Sequence, residues 1–314
     1  MENVKQNARL SLENAGYNPK KLALIHTGLA TAAGVLISIL SAVLDAGIAG
    51  TGGLSGMGLR AALSTAQSVL SMALTILLPF WELGFLFACV GYARQEQVAP
   101  DTLLGGFRRF RSALSLFLLE TLLAVGIVMA CSYACYTLFM FTPMFSGVAD
   151  LLMPLLEDGG YTLDYAAVEA LIPQLLPKLI PLYGIMAVAF LVVGVPFLYR
   201  FRLARYALCD GENRGILCLA KSKQLMRHKR LALFKLDLSF WWYYLLQIAL
   251  TLVAYGDSLL ALIGINLPVS SSVSYWLFYG LYAIGRLALA WCFAAYVQTS
   301  YAHFYHAAKT AQTP

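Results

Sequence analysis

The chain has 314 residues, of which 60% are apolar and only 12% are charged, with a formal net charge of +6. Soluble proteins carry roughly 25% charged residues, and this apolar content exceeds what one soluble core of this length can bury. The excess is expected to face lipid. Nucleic-acid binding would need a soluble basic face, and apolar runs of this length leave none available.

Six apolar segments are long enough to cross a bilayer, which needs roughly 20 residues in a helix. They cover residues 22–45, 64–92, 112–142, 179–201, 236–256 and 274–300. Single strands would leave unpaired backbone groups in hydrocarbon, so helices are predicted. The first segment is too long for a signal core and is interpreted as a retained span. The predicted fold is all-α: one membrane domain over 1–314, a polytopic bundle of about six transmembrane helices.

Two of the connections are expected to lie outside the cell. Residues 46–63 are Gly-rich and are predicted to be flexible. Residues 143–178 have apolar side chains at helical spacing, interrupted by Glu-Asp-Gly-Gly at 157–160. This pattern predicts two short amphipathic helices joined by a turn, which lie on the outer membrane face or cap the bundle.

Lys and Arg are distributed very unequally between the connecting segments. The N-terminal tail has four, the second connection four, residues 200–235 ten and the C-terminal tail one, whereas Arg60 and Lys178 lie in the remaining connections. Cationic connections stay preferentially in the cytoplasm. We therefore expect a multi-pass protein of the plasma membrane with both its N-terminus and its C-terminus in the cytoplasm.

The fourth connection changes abruptly from cationic to aromatic. Lys223, Arg227 and Arg230 fall at i, i+4 and i+7, which predicts a basic stripe on an inner juxtamembrane helix. Anionic lipids of the inner leaflet attract such residues by about 1 kcal/mol per charge, and the aromatic residues 241–244 follow at interface depth. The stripe is either an anchor for the fifth span or a site for lipid headgroups or a partner protein.

Three charged residues lie near the middle of predicted spans: Glu82, Glu120 and Arg286. A central charge costs at least about 2.5 kcal/mol, so each residue needs a partner or a use. One guanidinium can bridge two carboxylates through its planar fork. The three residues are therefore candidates for a structural clamp or for a substrate or proton pathway.

No metalloprotease, nucleophile-elbow or phosphate-loop motif is present. His303 and His306 have no carboxylate at ligand spacing, and the six cysteines form no Cys-x-x-Cys pair. We expect no enzyme activity, cofactor or metal. The favoured function is a non-enzymatic membrane component that binds anionic lipid or a partner protein through residues 200–235. The alternatives are a small-solute or ion transporter or channel that uses the three intramembrane charges and, less favoured, an enzyme acting on lipids.

The C-terminal third resembles a bacterial integral membrane family catalogued as domain of unknown function 975. The residues that carry the resemblance are Asp210, Ser222, Leu236, Asp237, Ser239, Phe240, Phe304 and Tyr305. The chain departs from the family pattern at His228, Arg230 and Ala295, where the family has Gly, Lys and Pro. The resemblance implies a multi-span plasma-membrane protein, typically of Gram-positive bacteria, and supplies no activity. Independently of it, Asp237 is expected to pair with a cation at the interface.

Overall fold

A computed structural model describes residues 2–49, 54–157, 165–211, 214–256, 260 and 271–311. These residues contain no strand, so the predicted all-α class is confirmed over the described chain. Besides short 3-10 and π-helical turns, its helices are α1 Glu2–Glu13, α2 Pro19–Ala49, α3 Leu54–Ala93, α4 Gly105–Arg108, α5 Phe110–Met140, α6 Pro143–Glu157, α7 Tyr165–Ala189, α8 Val195–Leu198, α9 Ala204–Cys209, α10 Gly215–Leu225, α11 Arg230–Ser239, α12 Trp241–Ala254, α13 Ser271–Leu289 and α14 Ala295–Thr310.

Five helical segments of the described chain are long and apolar enough to cross a membrane, as predicted from the sequence. They are Pro19–Leu40, Ala61–Ala93, Phe110–Met140, Pro177–Cys209 and Val273–Thr310. The fifth predicted span differs, because α11 and α12 form a pair bent by 61° at Phe240. The number of spans is therefore five, or six if this bent pair crosses as one.

Both predicted outer connections are more helical than expected. The Gly-rich segment 46–63 was predicted to be flexible, but α2 continues to Ala49 and α3 begins at Leu54; residues 50–53 lie outside the described residues. A glycine inside a helix costs only about 1 kcal/mol relative to alanine. Gly56 and Gly58 therefore do not stop α3, which extends past the expected end of the span.

The connection 143–178 contains one separate short helix instead of two. The first predicted helix is α6, whereas the second is the beginning of α7, which continues from Tyr165 to Ala189 into the fourth span. Three prolines lie within α7 and do not end it: Pro173, Pro177 and Pro181. The prediction of a separate second helix is therefore wrong. The turn expected at 157–160 lies largely outside the described residues.

The chain folds into two compact units. Unit 1 comprises 1–116 and 203–314, and unit 2 comprises 117–202. In unit 2, the Lys178 ammonium donates to the Gly147 carbonyl oxygen at 2.6 Å and joins α6 to α7. An apolar cluster around Phe139 and Leu182 packs beside this bond. The single membrane domain stays a prediction.

In unit 1, small residues allow α3 to pack closely against the segment that follows it. Gly84 on α3 lies so near the Leu103 carbonyl that a Cβ atom would overlap this oxygen, and a Cβ on Gly106 would overlap the Phe80 carbonyl oxygen. Because the overlapping atoms belong to the backbone, they cannot move aside easily. These glycines therefore fix residues 100–108 against the C-terminal half of α3.

Candidate functional site

Asp210 lies at the C-terminal end of α9 and is the centre of a charged cluster in unit 1. Its side chain is only 3% exposed. Arg94 contacts Oδ1, while Oδ2 accepts hydrogen bonds from the Lys309 ammonium at 2.5 Å and from the Tyr305 hydroxyl at 2.9 Å. Lys221 lies 3.8 Å from the same oxygen. We call these five residues the Asp210 cluster.

The cluster joins four segments of the chain, from the end of α3 to α14. Arg94 follows the end of α3, Lys221 lies on α10, and Tyr305 and Lys309 lie on α14. A buried carboxylate is costly unless cations and hydrogen-bond donors surround it. Asp210 has both, and both of its oxygens are engaged. The arrangement holds the four segments together, and it resembles a structural clamp more than a catalytic carboxylate.

Neutral hydrogen bonds beside the cluster support it. The Tyr206 hydroxyl donates to Gln298 Oε1 at 2.8 Å, and its ring stacks on Tyr305. The Leu203 amide donates to the buried Ser222 hydroxyl at 3.1 Å. Both contacts tie α9 to its neighbours, so the backbone that carries Asp210 has little freedom to move.

A second polar contact joins α11 to the last helix. The Tyr301 hydroxyl donates to Asp237 Oδ1, and the Tyr301 and Tyr244 hydroxyls lie 2.6 Å apart. Asp237 was expected to pair with a cation, and the tyrosine partner was not predicted. In the folded chain, Tyr301 lies on α14, next to Asp237 of α11.

The N-terminal helix α1 also reaches this region and was not predicted. Lys5 lies 4.5 Å above the Phe240 ring centroid and donates to the Ser239 carbonyl oxygen at 3.4 Å. Partial burial, together with the charge of Arg9, lowers the pKa of the Lys5 ammonium. The only buried residues of α1 are Ala8 and Ser11, at i and i+3. The helix therefore buries no stripe of large apolar residues that the sequence could have revealed.

Most residues of the family-like motif are buried in unit 1. Ser222, Leu236, Phe240, Phe304 and Tyr305 are all buried. The Ser239 hydroxyl, at the last residue of α11, donates to the Leu236 carbonyl oxygen at 2.6 Å. These residues therefore fix α9, α11 and α14 relative to one another.

The clamp predicted from three intramembrane charges is not formed between Glu82 and Arg286. Glu82 lies 3.7 Å from Arg205 on α9, and Arg286 donates to the Tyr282 hydroxyl at 2.9 Å, one turn earlier on α13. Within the described residues Glu82 and Arg286 form no ion pair. Glu120 lies half-buried on α5 in unit 2. The expected pairing of Arg286 with Glu82 is replaced by a contact between α3 and α9 and by a contact within α13.

The predicted basic stripe is not one face of a continuous helix. Lys223 lies on α10, which ends at Leu225, Arg227 lies in the turn that follows, and Arg230 begins α11. The i, i+4, i+7 spacing assumed an unbroken helix, and that assumption is wrong. Lys223 and Arg227 are nevertheless exposed, as is Lys235 on α11.

The α11 helix carries apolar side chains on two opposite faces. Leu233 and Leu236 are fully buried in unit 1, while Leu231 is 77% exposed and Phe234 and Leu238 are also exposed. At 100° per residue, the exposed three fall within one narrow face. Lys235 lies beside them and Trp241 follows, exposed, after the bend. We call Leu231, Phe234 and Leu238 the outer face of α11.

These helices and their apolar surfaces are those of a multi-pass α-helical membrane protein. No known protein family, curated protein or solved structure matches the chain. The resemblance of the C-terminal third to domain of unknown function 975 stays a prediction.

Proposed function

We propose that the protein is a non-enzymatic component of the plasma membrane whose inner surface binds anionic lipid through α10 and α11. The observation that carries this proposal is the outer face of α11. An apolar stripe exposed beside cations, on a helix bent by 61° from the following one, is the arrangement of a helix that lies in the membrane interface.

Each part of this surface matches one part of a lipid leaflet. Leu231, Phe234 and Leu238 would enter the boundary between headgroups and acyl chains, where apolar side chains gain about 25 cal/mol for each Å² removed from water. Lys235 lies next to them and can extend its ammonium to the headgroups. Lys223 and Arg227 would add electrostatic attraction to anionic lipid.

The orientation with both termini in the cytoplasm fits the contacts of unit 1. Ser11 near the N-terminus and His303 near the C-terminus are 2.9 Å apart, which favours an arrangement with both tails on one side. The Asp210 cluster likewise joins the second connection, the fourth connection and the C-terminal tail. These contacts favour an even number of crossings, in which α11 lies in the interface and the chain crosses once more after the bend at Phe240.

The transporter alternative depended on Glu82, Glu120 and Arg286 acting together. Glu82 and Arg286 instead bond to Arg205 and Tyr282. A shared pathway therefore has less geometric support than the lipid-binding surface. A protein partner that covers the outer face of α11 would compete with lipid for the same residues.

The test is native mass spectrometry of the protein extracted from its own membrane in mild detergent. Retained anionic lipid is expected, and replacing Lys223, Arg227 and Lys235 with Gln should reduce its retention. At about 1 kcal/mol per cation the three changes should weaken binding by about 100-fold. A matched control replaces the exposed Lys21, Arg108 and Arg111 with Gln, which removes the same charge elsewhere. Equal loss in both variants, or a stoichiometric protein in place of lipid, would refute the proposal.

A further inference from the structure

A groove opens between the N-terminal helices and the last span, and none of its described lining residues belongs to α10 or α11. Its volume is about 610 Å³, within the usual range for small-ligand sites of roughly 300–1,000 Å³. Arg9 and Glu13 contribute from α1, Lys20 from the start of α2, and Trp291 and Tyr296 from the last span. All of these residues belong to unit 1.

The cationic part of the groove lining suits a phosphate group. Arg9 lies over the Tyr296 ring, with the guanidinium carbon 5.5 Å from the ring centroid. This contact orients the side chain and leaves its donors available, because Arg9 is exposed. Lys20 is also exposed, and its backbone amide donates to Asn18 Oδ1 at 3.0 Å, which caps α2. Two cations against the single carboxylate of Glu13 leave a net positive charge.

The part of the lining that comes from the last span includes exposed apolar side chains. Trp291 is partly exposed and Cys292 is exposed, and both belong to the π-helical segment Ala290–Ala294. A π-helical turn widens the helix locally and re-aims its side chains, and such turns occur often at functional sites. This segment lies in a helix long and apolar enough to span the membrane, so its exposed side chains can contact lipid.

We propose that this groove binds the headgroup of one anionic phospholipid, with the phosphate between Arg9 and Lys20 and the acyl chains leaving past Trp291. Such a site takes a ligand that is polar and negative at one end and apolar at the other. The indole ring is suited to the depth where headgroups meet acyl chains. The site uses none of the residues of the outer face of α11, so it goes beyond the proposed function and can fail separately from it.

The experiment uses Cys292, which lines the groove, as a reporter. Cys89, Cys135, Cys209 and Cys218 are buried and Cys131 is half-buried, so a Cys131→Ser background leaves Cys292 as the accessible thiol. The full-length protein in mild detergent is labelled with a maleimide in the presence of phosphatidylglycerol or of phosphatidylcholine with the same acyl chains. Phosphatidylglycerol should slow the labelling, because a bound lipid covers the thiol, and phosphatidylcholine should slow it less.

Three variants identify the groups that bind. Replacing both Arg9 and Lys20 with Gln should raise the phosphatidylglycerol concentration needed for protection by roughly tenfold or more. Glu13→Gln removes the repulsive carboxylate and should lower that concentration, which keeps the test informative if the double variant folds poorly. The Lys223, Arg227 and Lys235 variant should leave the protection of Cys292 unchanged, and this separates the groove from α11.

Four results would overturn the assignment. Equal protection by phosphatidylglycerol and phosphatidylcholine would show that the groove does not select an anion. Unchanged protection in the Arg9 and Lys20 variant that is monodisperse on size-exclusion chromatography would exclude these cations. A higher required lipid concentration in Glu13→Gln would contradict the charge argument. Equal protection by soluble glycerol 3-phosphate would assign the site to a free phosphate compound and not to a lipid.

Discussion

Replacing Asp210 with Asn tests whether the Asp210 cluster holds the helices of unit 1 together. Asn has nearly the same size as Asp and keeps one oxygen acceptor, but it carries no charge. The substitution leaves Arg94, Lys221 and Lys309 around a neutral amide. It also places an NH2 donor where Asp210 accepted hydrogen bonds from Tyr305 and Lys309.

The magnitude follows from the bonds that are lost and from the exposure of the partners. A hydrogen bond to a charged group contributes about 1.5–3 kcal/mol, and Asp210 makes two close ones with cations. The side chains of Arg94 and Lys309 are 31% and 44% exposed, so water compensates part of the loss. We expect the free energy of unfolding to fall by about 2–4 kcal/mol, which is near the lower end for a broken buried ion pair.

The assay is thermal unfolding in detergent. The protein is heated to a series of temperatures, and the fraction that remains folded is measured as the height of the monodisperse peak on size-exclusion chromatography. The midpoint should fall by about 5–10 °C, since each kcal/mol corresponds to about 2–4 °C in chains somewhat shorter than this one. Asp101→Asn is the matched control. Asp101 pairs with Arg108 at 3.1 Å, but the two side chains are 60% and 66% exposed, so the cost should be at most about 1 kcal/mol.

A double-mutant cycle then assigns the effect to the cluster. If Asp210 and Lys309 act through their contact, Asp210→Asn and Lys309→Gln together should cost clearly less than the sum of the two single changes. Midpoints for Asp210→Asn and Asp101→Asn that agree within about 1 °C would refute the reasoning, because a buried carboxylate would then matter no more than an exposed one.

Two further predictions concern α3. Gly84→Ala should lower the unfolding midpoint because the new methyl group meets a backbone carbonyl, whereas Gly58→Ala on the same helix has open space and should be neutral or stabilising by up to about 1 kcal/mol; equal midpoints would contradict the close packing. Glu82→Gln and Arg205→Gln should show non-additive effects on that midpoint, while Glu82→Gln and Arg286→Gln should add, since only the first pair is in contact. Coupling between Glu82 and Arg286 would instead restore the predicted clamp.

Local patterns in the sequence were sufficient for the helical class and for most of the spans. The apolar runs at 22–45 and 112–142 coincide closely with α2 and α5. A helix satisfies its own backbone hydrogen bonds, so its presence depends on residues within a few turns of each other. The boundaries were less predictable: α3 extends through glycines and α7 through prolines. The packing of a long apolar helix outweighs the intrinsic preference of such residues.

The charged contacts could not be predicted, because their partners are far apart in the sequence. Asp210 is separated from Lys309 by 99 positions and from Arg94 by 116. The sequence indicated that Glu82 and Arg286 need partners, because both lie within apolar spans. It could not show whether they pair with each other or with Arg205 and Tyr282. The prediction of a basic stripe at Lys223, Arg227 and Arg230 failed because spacing cannot reveal a break at 226–229.

The sequence by itself determined that this chain is a helical membrane protein, and it placed the cations in a few connections. Those conclusions depend on whether each segment is more stable in lipid or in water. That preference is a sum of contributions from residues that are neighbours in the sequence. The tertiary structure alone decided that Asp210 is the centre of a buried cluster, that α11 bends away from α12 with an apolar face exposed, and that Arg9 lies over Tyr296. Such contacts depend on which helices pack together, and packing joins residues that no local pattern connects.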